Sequence, residues 1–350
     1  MKHDPIEPEL VPAIGDSFVK ITLVVIALVV GFSFGWCAMS NAAVGDKIDL
    51  TQYNMTFNED FSRPLANTIL PGYGWGTLTS PTTPTAPWTL FPHTEWDGGS
   101  FGYAYFTGQA EATYDANGKL IGAGDSLDKE PYHAVPPNPF SYTPYKRWLN
   151  ITAYNDSNIC HWRTGFVATV DTAGNGFHQS LGSSPSIYFE VSANLPPGCP
   201  PGSPSDGSGL GGGVWPAITL QSIPPGGFRV PRTTNECEID IMEMYGVDMT
   251  QLHQRAHAFS PSGQELLPPG SGNTITIANP SGAFHRFGVL IDAQVTHFTY
   301  DGVVTFEMPT DQTFLHPLFP TVDLALGGGW PINITMGRME VQYIRAYQHK

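Results

Sequence analysis

The chain has 350 residues, 41% of them hydrophobic and 12% aromatic, enough to fill a sizeable core and to exclude a disordered polypeptide. Charged residues make up only 13%, about half the usual share, which argues against long solvent-facing helices and coiled coils. Sixteen lysines and arginines against 31 aspartates and glutamates leave a net charge of −15, a field that repels phosphate backbones and sets nucleic acid aside as a partner.

Residues 21–39 (ITLVVIALVVGFSFGWCAM) carry no charge behind Lys20. They are long enough to span a bilayer and also fit the apolar part of a signal peptide. Ser40-Asn41-Ala42 supplies small residues for cleavage before Ala43. The leader bears Asp4, Glu7, Glu9 and Asp16, too acidic for a standard signal, so an uncleaved membrane anchor stands as the alternative. Either reading makes 1–42 an export segment and 43–350 one extracytoplasmic domain, secreted or held at a membrane through 21–39. Beyond the leader stand Cys160, Cys199 and Cys237, an odd number that allows one disulfide and one buried thiol without fixing the pairing. Neither a CxxC pair nor HExxH occurs, which leaves a zinc site without support.

Further along, short runs rich in β-branched and aromatic residues recur between Gly, Pro, Asn and Asp. They include 186–193 (SIYFEVSA), 237–243 (CEIDIME), 287–291 (FGVLI), 297–300 ahead of an Asp301-Gly302 turn, and 340–347 (EVQYIRAY). Period-two alternation fits them, and no run of ten residues reads as an amphipathic helix. The fold class is therefore all-β, a sandwich or barrel. Residues 195–213, rich in Pro, Gly and Ser, read as a surface loop between strands. Three formal motif matches read as loops too: GxSxG at 98–102, GDSL at 124–127 and GxGxxG at 207–212. None has the helix behind it that a nucleophile elbow or a phosphate loop requires.

The informative segment is Glu236-Cys237-Glu238-Ile239-Asp240-Ile241-Met242-Glu243. On a strand, Glu238 and Asp240 share one face while Ile239 and Ile241 point into the core. Plain alternation would then turn Glu243 inward at a cost of several kcal/mol. One β-bulge after Asp240 returns it to the polar face. Three carboxylates so close repel unless one holds a proton, which disfavours a merely solvated face. Paired carboxylates are the apparatus of glycoside hydrolysis, one ionised and one protonated. The Cα atoms of Glu238 and Glu243 would stand roughly 13–16 Å apart on a strand. Retaining chemistry wants the carboxyl groups about 5–5.5 Å apart, a gap that long side chains over a curved sheet can largely close.

These residues resemble glycoside hydrolase family 16, the concanavalin A-like β-sandwich jelly rolls with a concave substrate cleft. The Glu-x-Asp-x-x-Glu signature is Glu238-Ile239-Asp240-Ile241-Met242-Glu243. Upstream, Tyr188-Phe189-Glu190-Val191, Leu195-Pro196-Pro197-Gly198 and Trp215-Pro216-Ala217 are similar to the family's YFE…LPPG…WPAFWL stretch. Downstream, His285-Arg286-Phe287-Gly288-Val289, Tyr300-Asp301-Gly302, 324–331 (LALGGGWP) and 339–347 (MEVQYIRAY) match in order, so the likeness covers about 52–348. Trp162-Arg163-Thr164-Gly165, 174–178 and 93–106 resemble a bacterial branch that includes exopolysaccharide-cleaving glycanases. The bulged signature is shared with 1,3-β-glucanases, agarases and carrageenases.

The resemblance implies an exported endo-β-glycanase acting on a polysaccharide, either a β-1,3- or mixed-linkage glucan or a bacterial exopolysaccharide. It implies retaining hydrolysis with Glu238 as nucleophile, Glu243 as acid/base and Asp240 tuning the charge between them. A transglycosylase and a non-catalytic carbohydrate-binding protein are the alternatives on the same fold. Catalysis needs no cofactor or metal, and a monomer is expected. Sugar rings stack on aromatics, so Trp215, Trp330 and the loop residue Trp96 are candidate substrate contacts, with His257 and Arg163 as candidate polar ones. Asn58-Glu59-Asp60 is a candidate structural calcium site like that of relatives. One departure is evident: Ile218-Thr219 stands where the family usually has Phe-Trp.

Overall fold

A computed structural model describes residues 42–61, 77–79, 87–90, 104–106, 112–114, 120–123, 140–142, 148–156, 161–170, 174, 176–198, 213–227, 233–327, 334 and 336–350. The leader with its apolar stretch 21–39, Trp96, Trp330, Cys160, Cys199, loop residues 199–212 and the three motif matches lie outside the described residues. Among the described residues no helix is long and apolar enough to cross a membrane.

Alternation dictates the layering. In the strand Ser186–Asn194, Ile187, Phe189 and Val191 enter the core while Tyr188, Glu190 and Ser192 take the other face. In Leu318–Leu326, Val322 and Leu324 enter the same core and leave Asp323 and Ala325 on the far side. The result is two stacked, almost wholly antiparallel sheets, a β-sandwich jelly roll. Residues 38–350 make one compact unit.

One sheet runs Val303–Pro309, Val295–Tyr300, His285–Asp292, Ser186–Asn194, Met336–His349, Leu149–Asp156, His161–Thr164, Ala104–Phe106. Tyr53–Glu59 pairs beside Met336–His349 and Phe140–Tyr142 beside Leu149–Asp156. Its outer face carries Tyr188, Leu290 and Tyr347, covered by Ile48, Leu50 and Tyr53 from the preceding segment. Buried Glu190 there accepts hydrogen bonds from Tyr188 at 3.0 Å and Tyr343 at 2.7 Å.

The second sheet runs Gly272–Thr276, Gln251–Phe259, Glu236–Glu243, Val214–Ser222, Leu318–Leu326, Phe166–Ala168, Pro87–Leu90, Thr77–Thr79. Its inner residues Ile218, Leu220, Ile239, Leu252 and Val322 pack against Ile187, Val289, Phe298 and Val341 of the other sheet. Gln254, fully buried between the layers, accepts a hydrogen bond from Thr305 at 2.7 Å and so links them.

One expectation, that for the cysteines, is settled in part here. Among the described residues Cys237 is a buried free thiol; its Sγ donates to Thr313 O at 3.3 Å, and burial pushes the thiol pKa up to about 12. At the candidate calcium position, Asn58 Oδ1 already accepts Arg345 Nε at 2.8 Å, and Glu59 Oε1 accepts the Phe61 amide at 2.6 Å. A guanidinium on the amide oxygen does not suit a cation ligand. Among the described residues, no group of three His, Cys, Asp or Glu side chains can hold a metal ion.

Candidate active site

The acid strand Glu236–Glu243 lies third in the second sheet, between Gln251–Phe259 and Val214–Ser222. Ladder pairing runs Glu238↔His257, Ile239↔Ala256 and Asp240↔Arg255, then resumes at Glu243↔His253. Three steps on the acid strand thus oppose two on its neighbour, the signature of a one-residue bulge. Towards the other neighbour the same shift falls between Thr219↔Asp240 and Ile218↔Met242. Ile241 and Met242 are consecutive, yet both have no exposed surface and belong to the inter-sheet core. Placing two neighbours inward is what returns Glu243 to the face of Glu238 and Asp240. Buried Gln254 reaches the Ile241 carbonyl at 3.5 Å and steadies the bulge.

Register then arranges the face in rows across the strands. One row is His253–Glu243–Ala217–Asp323–Phe166. The next is Arg255–Asp240–Thr219–Thr321, and the third His257–Glu238–Gln221–Phe319. Glu238 and Glu243 are half-buried and Asp240 is buried.

Each acid has a different partner. Trp215 Nε1 donates to Glu243 Oε1 at 2.9 Å, and Gln221 Nε2 donates to Glu238 Oε1 at 3.3 Å. His257 Nε2 lies 3.4 Å from Asp240 Oδ2, while its Nδ1 meets Glu265 Oε2 at 2.6 Å. Glu265 sits on the loop after the Gln251–Phe259 strand, where its other oxygen accepts the Ala258 and Leu267 amides, both at 3.1 Å. Tyr245 tilts against Trp215 at 5.5 Å and meets His253 edge-on at 5.2 Å, flanking Glu243 with rings.

Electrostatics separate these groups. Burial raises the Glu243 carboxyl above the usual carboxylate range; the Trp215 bond opposes this and the Glu238 charge adds to it. Burial lifts Asp240 to about 6, against the pull of His257. The hydrogen bond to Asp240, joined by that to Glu265, lifts His257 to about 9 despite partial burial. Glu265 is held below the carboxylate range, its slight burial outweighed by bonds from His257, Ala258 and Leu267. The face therefore offers a carboxyl that holds its proton more readily than usual, with a second carboxylate on the same strand face. That pairing can protonate a leaving oxygen and attack or activate water.

The sequence-based candidates divide cleanly. Glu238, Asp240, Glu243, Trp215 and His257 are gathered on one face. Arg163 has its backbone in His161–Thr164 of the other sheet, with its side chain outside the described residues, as are Trp96 and Trp330. Thr219, where an aromatic was the family expectation, lies beside Asp240 and shares a 2.6 Å hydroxyl contact with Thr321. Sequence reasoning missed Gln221, Tyr245, His253, Glu265 and Asp323. Only Asp323 left a local signal, as the sole charge in the apolar strand Leu318–Leu326.

Residues 207–345 match the family model described as Glycosyl hydrolases family 16. Endo-1,3-1,4-beta-glycanase EglC of Rhizobium meliloti (strain 1021) is 28% identical over 217 residues, covering 60% of this chain and 40% of its own. Endo-1,3-1,4-beta-glycanase ExsH of the same organism is 28% identical over 180 residues, covering 50% and 32%. The chain thus spans less than half the length of these curated relatives. Among solved structures, SCLam, a non-specific endo-beta-1,3(4)-glucanase from family GH16, superposes with TM-score 0.53 at 18% identity, covering 88% of this chain and 96% of its own. The catalytic domain of an endo-1,3-beta-glucanase (laminarinase) from Thermotoga petrophila RKU-1 gives TM-score 0.51 at 18% identity, covering 85% and 98%. These are likenesses of fold.

Proposed function

We propose, starting from the match of residues 207–345 to glycosyl hydrolase family 16, that this protein is an endo-acting β-glycanase cleaving a β-1,3- or mixed-linkage glucan or a bacterial exopolysaccharide by a retaining double displacement. The observation that carries the reading is the bulge after Asp240, which turns Glu243 onto the face of Glu238. Relatives named as endo-1,3-1,4-beta-glycanases support the substrate class.

In this scheme Glu238, oriented by the Gln221 amide, attacks the anomeric carbon. Glu243, its proton favoured by burial, donates it to the glycosidic oxygen as that bond breaks. Glu243 then takes a proton from water, which displaces Glu238 with a second inversion and so retains configuration. Asp240 lies between them under the hold of His257 and keeps the local charge balanced. A polysaccharide substrate also supports export through 1–42, with cleavage before Ala43 or anchoring by 21–39 as the two routes.

The test combines a substrate panel with chemical rescue. Reducing ends should appear on β-1,3- and mixed-linkage glucans or on bacterial exopolysaccharide. Glu243→Gln should still form the glycosyl-enzyme from an activated aryl glycoside, and external azide should then restore turnover with retained configuration. Glu238→Gln should form no glycosyl-enzyme, and azide should give the inverted product. Full activity in either variant would refute the site.

A further inference from the structure

Asp323 has no part in the scheme above, yet it lies in the same row as Glu243, two strands away, with only the Ala217 methyl between them. Two strand spacings amount to roughly 9–10 Å. Its strand neighbours Val322 and Leu324 are committed to the inter-sheet core, so alternation sends the Asp323 carboxyl to the cleft face. It is 4% exposed there, between buried Phe166 on one side and Ala217 on the other, with Thr321 and Ala325 next on its own face. Trp215, which donates to Glu243, packs on the same apolar cluster of Phe166, Phe319 and Ala325.

We propose that the Asp323 carboxyl, one alanine away from Glu243 on the floor of the cleft, hydrogen-bonds a hydroxyl of a bound sugar unit and fixes where the glycan chain lies across the sheet. The proposal rests on the glycanase reading of this face and adds a substrate-positioning residue to it.

The surroundings say which form of the carboxyl does this. Among the described residues the charged groups facing it are Glu243, Glu238 and Asp240 of the acid strand. The flanking segments Val214–Ser222 and Phe166–Ala168 contain no ionisable residue, and the Leu318–Leu326 strand has no other. Burial and those like charges hold Asp323 well above the usual carboxylate range, against a hydrogen bond from the Ala325 amide. A neutral carboxylic acid differs from its neighbours in having an O–H to donate as well as lone pairs to accept. Sugar hydroxyls both donate and accept, so this group suits them better than a fourth carboxylate would. Between Asp323 and Glu243 the floor carries only the Ala217 methyl, itself buried, and the buried Thr219–Thr321 pair continues it with hydroxyls.

The test uses oligosaccharide binding, so that it does not depend on turnover. In a Glu238→Gln parent, binding of a β-1,3-linked and a mixed-linkage glucose tetrasaccharide is measured by calorimetry. Adding Asp323→Ala should weaken binding by about tenfold, the loss of one buried hydrogen bond. Asp323→Asn, of the same shape and still a donor, should stay close to the parent. Raising the pH should weaken the parent's binding more than that of the Asp323→Asn variant, a readout that needs no truncation and that a purely structural role would not move. Unchanged affinity in Asp323→Ala, equal losses in the Ala and Asn variants, or the same pH dependence with and without Asp323 would each overturn the proposal. A parent that binds neither tetrasaccharide nor a bacterial exopolysaccharide fragment would overturn it together with the glycan-cleft reading. A parent that binds while the wild-type protein hydrolyses nothing would sink the catalytic reading alone.

Discussion

The indole Nε1 of Trp215 donates a 2.9 Å hydrogen bond to Oε1 of Glu243. The same ring rests on the Phe166–Ala168–Phe319 cluster and on Tyr245, so the acid is tied to a platform anchored outside its own strand. This bond favours the charged form of Glu243, whereas burial favours the protonated one, and burial prevails. The balance leaves a carboxyl able both to give up and to recover a proton, as an acid/base must.

Trp215→Phe keeps an aromatic ring, though a smaller one, and removes the donor. The Glu243 pKa should then rise further, moving the alkaline limb of the kcat/KM profile to higher pH. The maximum should fall about tenfold, in line with the loss of a hydrogen bond to a charged group. The pH–rate profile of the variant checks this, and an unmoved alkaline limb would detach Trp215 from the acid.

Glu265→Gln retains an oxygen for the Ala258 and Leu267 amides but withdraws the charge beside His257. The His257 pKa, raised to about 9, should fall back towards its usual 6.5, which an NMR titration of the imidazole reads directly. Stability should follow with a fixed sign. A folded pKa above the unfolded one means that the folded protein holds more protons, so the contribution of His257 is full below 6.5 and is lost as pH rises through about 9. Melting temperatures of the wild type should therefore fall across that window, with a shallower fall in Glu265→Gln.

Gly288→Ala places a Cβ 2.5 Å from the Tyr188 hydroxyl and 2.8 Å from the Phe189 carbonyl. Tyr188 is fully buried and serves Glu190 and Thr299, so it has little room to yield. The substitution should destabilise by about 1–3 kcal/mol, as overpacking does. Thermal unfolding measures it, and adding Tyr188→Phe should recover part of the loss by removing the hydroxyl that is struck.

Much of this was legible beforehand because alternation is local. Expected strands at 186–193 and 237–243 fall within Ser186–Asn194 and Glu236–Glu243. The bulge could be argued from Glu243 alone, because a charge facing Ile239 and Ile241 would have been too costly. Strand ends were less visible: the run expected at 287–291 extends to His285–Asp292, since its outer residues are recruited by ladder partners rather than by their own pattern. The parts of the face that went unseen depend on register. Asp323 joins the row of Glu243 only once three strands are aligned, and Glu265 reaches His257 only because a loop folds back onto its own strand. Thr219 was recognised as a departure, but its pairing with Thr321 needed the neighbouring strand.

The bulge also sets what kinds of change this segment can survive. Ile241 and Met242 are both spent on the core, so exchanging either for a residue of similar volume leaves Glu243 where it is. Changing the number of residues there is another matter. Removing one would restore simple alternation and invert everything after it. Glu243 would be driven between the sheets, and the backbone bonds from Met244 to Pro216 and from Gly246 to Val214 would be lost along with the Trp215–Tyr245 contact. The segment is thus permissive to spelling and intolerant of length, and one methionine or isoleucine more or less decides whether it presents two glutamates or one.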